Sequence, residues 1–224
     1  MTTSRQIQKL MQPLVDRTPD ICLVESWIIL CPVSHFVRGI IFDRSSDKEK
    51  FRPTWAVMHL FEPMTVFHLS LGQRISGSST GLWKWSNPEV KSEIEIALEA
   101  SVLPMLRNMD CLEKYVSFLE KHPDYGWSKR PLQKLIVDIA MGDFDAARVI
   151  CGDVISRYTP ETFPGDAEDK AHFADLKKLC ALLARDDRKG MAAMLHAFEA
   201  ETVKNLKLEH VWEPTPFPFE LAVK

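Results

Sequence analysis

Near residue 86 the hydrophobic pattern of this chain changes its period. Before that point apolar residues alternate or gather in short β-branched and aromatic runs; beyond it they return at three- and four-residue intervals almost to the end. A pleated strand repeats every second residue and an α-helix about every 3.6. One change of period therefore divides the chain into a sheet-forming front and a helix-forming back, which predicts an α+β protein.

In the front part, Ile7, Leu10, Met11, Leu14 and Val15 follow Ser4 at helical spacing and predict a first helix over 4–16, with Pro13 weakening its end. The stretches 21–31, 36–43, 52–61 and 65–75 are rich in Val, Ile, Phe and Trp with turn residues between them, and predict a four-stranded antiparallel meander. A tight connection at Glu62, Pro63, Met64 and Thr65 would pair Phe61 with Val66 and His59 with His68. In that register Ala56, Met58, Leu60, Phe67, Leu69 and Leu71 share the core face, leaving Val57, His59 and Phe61 on the other.

In the back part, Asn87 and Pro88 open a long helix carrying Val90, Ile94, Ala97, Leu98 and Met105, kinked or ended at Pro104. Asp110 to Glu113 has the spacing of a capping box for a helix bearing Leu112, Tyr115, Val116 and Leu119. Residues 122–127 read as an internal boundary, so the expected organisation is a sheet domain with covering helices over 1–122 and a helical region over 123–224. That region contains two helical hairpins, 129–141 with 144–157 and 167–185 with 188–206, similar to each other at an offset of 44 residues. The first hairpin's run Ala140 to Ala147 resembles the middle of a tetratricopeptide repeat, but the preceding helix lacks that family's tryptophan and tyrosine positions, so ordinary hairpin packing is the expectation.

A formal charge of −3, with Lys and Arg scattered among Asp and Glu, offers no basic stripe for nucleic acid. The longest apolar runs are too short for a membrane span, and the first residues lack the pattern of a secretory signal, so no membrane association and a cytoplasmic location are expected. The odd number of cysteines, Cys22, Cys31, Cys111, Cys151 and Cys180, reads as free packing thiols in a reducing compartment. No phosphate-cradling loop occurs, and no cofactor is implied.

Four side chains stand out as candidate binding residues: His59, His68, Trp55 and Arg38. Directly opposed on two antiparallel strands, the two imidazoles would sit with Cβ atoms roughly 4.5–5.5 Å apart. A metal would need a third ligand, and the candidates Asp43, Glu62 and His35 have no position that the pattern fixes relative to the pair, so no metal ligand set and no catalytic residue is assigned. Arg38 either lines a pocket or marks an outward-facing strand centre. Cys31 and His35 flank a turn without a third group to orient the histidine. Gly77 to Gly81 fits the G-x-S-x-G spacing around Ser79, yet no helix follows it directly, as a nucleophile elbow requires. The tail from Trp212 to Phe219, with three prolines, must be extended; its aromatics either pack back on the chain or form an arm for a homo-oligomer.

The segments Trp27 to Leu30, Val37 to Phe42 and Trp55 to His59, with Leu182 to Arg188 in the second hairpin, resemble bacterial helix-plus-antiparallel-sheet domains of unknown function, some of them immunity proteins of polymorphic toxin systems. The resemblance transfers no functional residue. Together with the absence of catalytic motifs, it gives the expectation of a non-enzymatic interaction protein with a protein partner. The alternative is a metal-dependent hydrolase or small-ligand enzyme built on the two histidines.

Overall fold

The computed structural model describes residues 2–44, 47–67, 71–77, 82–122 and 131–222. Strands β1 (Ile21–Val24), β2 (Trp27–Leu30), β3 (Phe36–Arg44), β4 (Lys50–His59) and β5 (Gly72–Arg74) form an antiparallel sheet in chain order, and β6 (Trp83–Lys84) also pairs with β4. Stretch 21–31, expected as one strand, is itself a hairpin. It turns at Glu25, whose φ of 54° gives the left-handed turn that lets Val24 pair with Trp27.

The expected pairing of Phe61 with Val66 does not form. β4 ends at His59, and among the described residues the sheet resumes with the Val57 N–H on the Leu71 carbonyl and with Gly72 paired to Ala56, Gln73 to Trp55 and Arg74 to Thr54, a register one residue away from the expectation. The cause lies in the helical region, because Thr202 takes over the backbone groups that a strand would use. Its hydroxyl donates to the Glu62 carbonyl at 2.7 Å and accepts the Met64 N–H at 3.1 Å, while Asn205 donates to the Met64 carbonyl at 3.0 Å. These bonds hold residues 62–64 off the sheet plane. His68 and Leu69 lie outside the described residues.

Both faces of the sheet are covered, which explains why β4 is buried from Pro53 to His59. The larger core lies on the side of Ile28, Ile40, Trp55, Val57 and Phe61, the face expected to be the minor one. Met58 and Leu60 join Val33 and Val37 in a second, smaller cluster on the opposite face. Alternation alone could not choose between the faces, because the helical region supplies apolar cover to both.

Helix α1 (Ser4–Arg17) begins with a reciprocal cap between Thr3 and Gln6 and buries Ile7, Leu10, Met11 and Leu14. Helices α2 (Val90–Ala97) and α3 (Leu103–Asn108) run on through a π turn at Leu98–Val102. Pro104 follows that widened turn, so the helix accommodates a residue that has no N–H to donate. Helix α4 (Leu112–Lys121) lacks the expected capping box: Cys111 is its cap residue without a side-chain bond, and Asp110 instead accepts from Lys114 at 2.8 Å.

The two hairpins follow the expected bounds closely, as α5 (Pro131–Met141) with α6 (Phe144–Arg157), and α7 (Ala167–Ala184) with α8 (Arg188–Asn205). Asp143 and Asp187 cap the second helix of each through bonds to Ala146 N–H and Gly190 N–H. The main core runs without a break from Ile7 to Phe219. Four cysteines are paired rather than free: Cys22 with Cys31 beside the first hairpin, and Cys151 with Cys180 between α6 and α7, leaving Cys111 as a thiol.

The tail packs on its own chain. Val33 and Trp212 form a parallel bridge, Phe217 and Phe219 are buried, and a last short helix, α9 (Pro218–Leu221), lies beside α5. No described helix is long and apolar enough to cross a membrane.

Candidate functional site

His59 is the last residue of β4 and points into the large core, where it is only 2% exposed. Opposite Phe36 in the β3–β4 register, it meets Tyr115 of α4, whose hydroxyl stands 3.3 Å from Nδ1. Its Nε2 faces Glu62 Oε2 at 2.7 Å, because Glu62 lies one short turn further along the chain that Thr202 has pulled inward. The second Glu62 oxygen lies 3.1 Å from His172 Nε2 on α7, and the other ring nitrogen of His172, Nδ1, has no hydrogen-bond partner. Burial alone would raise the Glu62 carboxyl. The imidazoles of His172 and His59 outweigh that effect and hold it down at about 2.

A second array sits one helical turn away on α8. Glu199 is fully buried, with Oε1 at 3.0 Å from His35 Nδ1 and Oε2 at 3.5 Å from Nδ1 of His196. His35 stacks on Phe217 with ring centroids 4.2 Å apart, and its Nε2 lies 3.2 Å from the Pro216 carbonyl. His196 continues to Glu220 at 2.9 Å, and Glu220 accepts the Phe217 N–H at 2.7 Å. Phe61 separates the two arrays, packing against His59 on one side and His35 and Phe217 on the other. Polar contacts of this kind join the sheet to α7, α8 and the tail at one end of the molecule.

The first array reaches a cavity. A pocket of about 330 Å³ is lined by Glu62, Pro63, Met64, Thr65, Val66, Asp166, Asp169 and His172. Asp166 and Asp169 cap the start of α7 reciprocally, each accepting the other's N–H at 3.1 Å. On the far side of Thr65 and Val66 a second hollow of about 390 Å³ is lined by Trp27, Ile41, Phe67, Leu206 and the Glu25–Lys207 ion pair. Val66 lines both and is 58% exposed.

The residues singled out from the sequence are placed differently from expectation. Trp55 packs in the core edge-on to Phe118 rather than on an outer face. Arg38 is no solvated strand centre: its Nη1 donates to the Met109 carbonyl at 2.7 Å and reaches the Leu106 carbonyl at 3.4 Å, which holds the end of α3. Burial lowers the Arg38 pKa, against the opposing pull of Asp110 and Asp20. His68 and Ser79 lie outside the described residues. Among the described residues no three His, Cys, Asp or Glu side chains form a metal-ligand group.

Glu62 and His35 were candidate third ligands in the sequence without a fixed position, whereas the roles of His172 and Glu199 were not foreseen. One signal for Glu199 was present: at the 44-residue offset it takes the place of Ile155, a charged residue on a stripe that is apolar in the other hairpin.

The chain matches no protein-family model, and comparisons with curated proteins and with solved structures return no match.

Proposed function

We propose that this is a non-enzymatic interaction protein, and that its binding surface is the 62–67 segment where it crosses α7 and the end of α8, not the sheet face around His59 and Trp55. One observation carries the reading: Val66, an exposed apolar residue, forms the ridge between two adjoining hollows, one acidic and one apolar. Large apolar side chains this exposed are unremarkable singly, but flanking cavities make a surface that a partner can grip. Inhibition of a toxin by direct binding, the role the resemblance implies, is an interaction of this kind.

The hydrolytic alternative draws less support. His59 already faces Glu62 through one ring nitrogen and Tyr115 through the other, so it has no free lone pair aimed at a metal or a substrate. The expected cytoplasmic location draws no support from the cysteines, because the Cys22–Cys31 and Cys151–Cys180 bridges are of the kind an oxidising compartment preserves.

The test of the surface is a photoreactive residue installed at position 66 and, as control, at Ile96, which is comparably exposed on α2. A discrete adduct in native cells from position 66 and none from position 96 is expected. Adducts equal at both positions, or none at 66, would remove the reading.

A further inference from the structure

The chemistry of the two hollows selects a partner. In the first, the described side chains that can carry charge are Glu62, Asp166, Asp169 and His172, three carboxylates against one imidazole, with no Lys or Arg among the described residues that line it. Glu62 is almost fully buried, and its carboxyl, held at about 2, keeps its charge across the ordinary pH range. Beside it His172 sets Nε2 3.1 Å from Glu62 Oε1, while its Nδ1 is screened from solvent and has no hydrogen-bond partner. The pocket is thus a partly enclosed acidic site with one buried polar atom still unsatisfied. The second hollow differs in kind: Trp27 and Phe67 pack with ring centroids 4.7 Å apart, Ile41 and Leu206 extend the apolar surface, and its one ion pair is internally neutral.

We infer that the occupant is a segment of a partner protein carrying a Lys or Arg close in sequence to a large apolar residue, the cation entering the Glu62–Asp169 pocket and the apolar side chain resting on Trp27 and Phe67. The inference rests on the binding surface proposed above and names what it takes. Charge complementarity fixes the cation, because an acidic group would meet three carboxylates at short range. Continuity through Val66 fixes the apolar neighbour, since a free amine or a simple cation would leave the second hollow unused. Arginine and lysine both suit the site, and a guanidinium could face two carboxylate oxygens at once.

Synthetic peptides of about seven residues, with one Leu or Trp and one Lys or Arg at varied separation in a Gly/Ser background, provide the probe. Matched peptides carry Gln or Glu in place of the cation, and n-butylammonium serves as the amine alone. Binding to the full chain is read by amide chemical-shift changes in 62–67 and 205–207. At low salt the best cationic peptide should bind at least about tenfold tighter than its Gln counterpart, and the margin should shrink as salt is added.

Asp166→Asn and Asp169→Asn preserve side-chain capping of α7 and should erase most of that margin, while Val66→Ser should weaken both peptides alike. Shifts in 62–67 that ignore peptide charge would overturn the inference but leave the surface standing. Preference for the Glu peptide, or equal shifts from n-butylammonium alone, would also overturn it. No shift in 62–67 with any peptide would overturn it too, and the cross-link from position 66 would then judge the surface by itself.

Discussion

Glu199 and His35, far apart in the sequence, stand 3.0 Å from each other in an interior where neither is more than marginally exposed. The pair fastens α8 to the residue just before β3, and Phe217 lies stacked over the imidazole. Breaking a buried pair by removing one partner is costly because the other is left desolvated. His35→Ala and Glu199→Ala should each lower stability by about 3 kcal/mol. The double change His35→Phe with Glu199→Leu should lose less than the two single losses added together, since neither member of the pair is left facing the other's vacancy. Urea unfolding of the set checks this, and strictly additive losses would refute it.

Glu62 makes a pH prediction with a definite sign. Its folded pKa of about 2 lies below the ordinary carboxylate value of 4.5, so its contribution to stability is complete above that ordinary value and is lost as pH falls toward 2. The difference corresponds to roughly 3 kcal/mol. Glu62→Gln should therefore be less stable than the natural chain at neutral pH and should show a flatter decline between about pH 4.5 and 2. Chemical denaturation across that range measures it; parallel acid limbs for the two proteins would count against the arrangement.

Arg38 should behave as a structural residue. Its donation to the Met109 carbonyl is a charged hydrogen bond at a helix end, so Arg38→Ala should cost about 1.5–3 kcal/mol. Arg38→Lys should recover only part, because a lysine side chain ends one bond short of the Nη1 atom that reaches both carbonyls. Thermal unfolding gives the stabilities, and peptide affinity at the 62–67 segment should be the same in all three proteins.

The Cys151–Cys180 bridge links α6 to α7 across a sequence separation of 29. Closing a loop of that size restricts the unfolded chain, so Cys151→Ala with Cys180→Ala should lower stability by about 2–4 kcal/mol relative to the oxidised protein. A dithiol reductant should lower the stability of the natural chain by more than that of the double variant, which keeps only the Cys22–Cys31 bridge. Equal melting temperatures with and without reductant would mean that the bridge contributes nothing.

The helical hairpins were legible to within a residue or two because their signals are local. Gly142, with φ 85°, and Asp186, with φ 51°, end the first helix of each hairpin, and an aspartate caps the second. Strand β4 was legible as a strand, but its faces were not: Trp55, Val57 and His59 are as thoroughly covered as Ala56, Met58 and Leu60, so alternation carried no contrast. The departure of residues 60–67 from the sheet is set by Thr202 and Asn205, far along the chain, and a local turn signal outvoted an influence it could not register. The same reason hid the site, since His59, Glu62, Tyr115 and His172 become neighbours only after four separate elements have packed.

Val33 gives its N–H to Val211 at 2.9 Å, and its carbonyl accepts from Glu213 at 2.7 Å. The lower lining of β3 and β4, made of Val37, Met58 and Leu60, is roofed by Val203, Leu206 and Leu208 from the same stretch of chain. A ribosome that has finished the sheet has therefore produced a naked greasy flank whose lid has yet to be translated. During that interval the newborn polypeptide is a natural client for a chaperone, and pausing synthesis before residue 203 would trap it in that state.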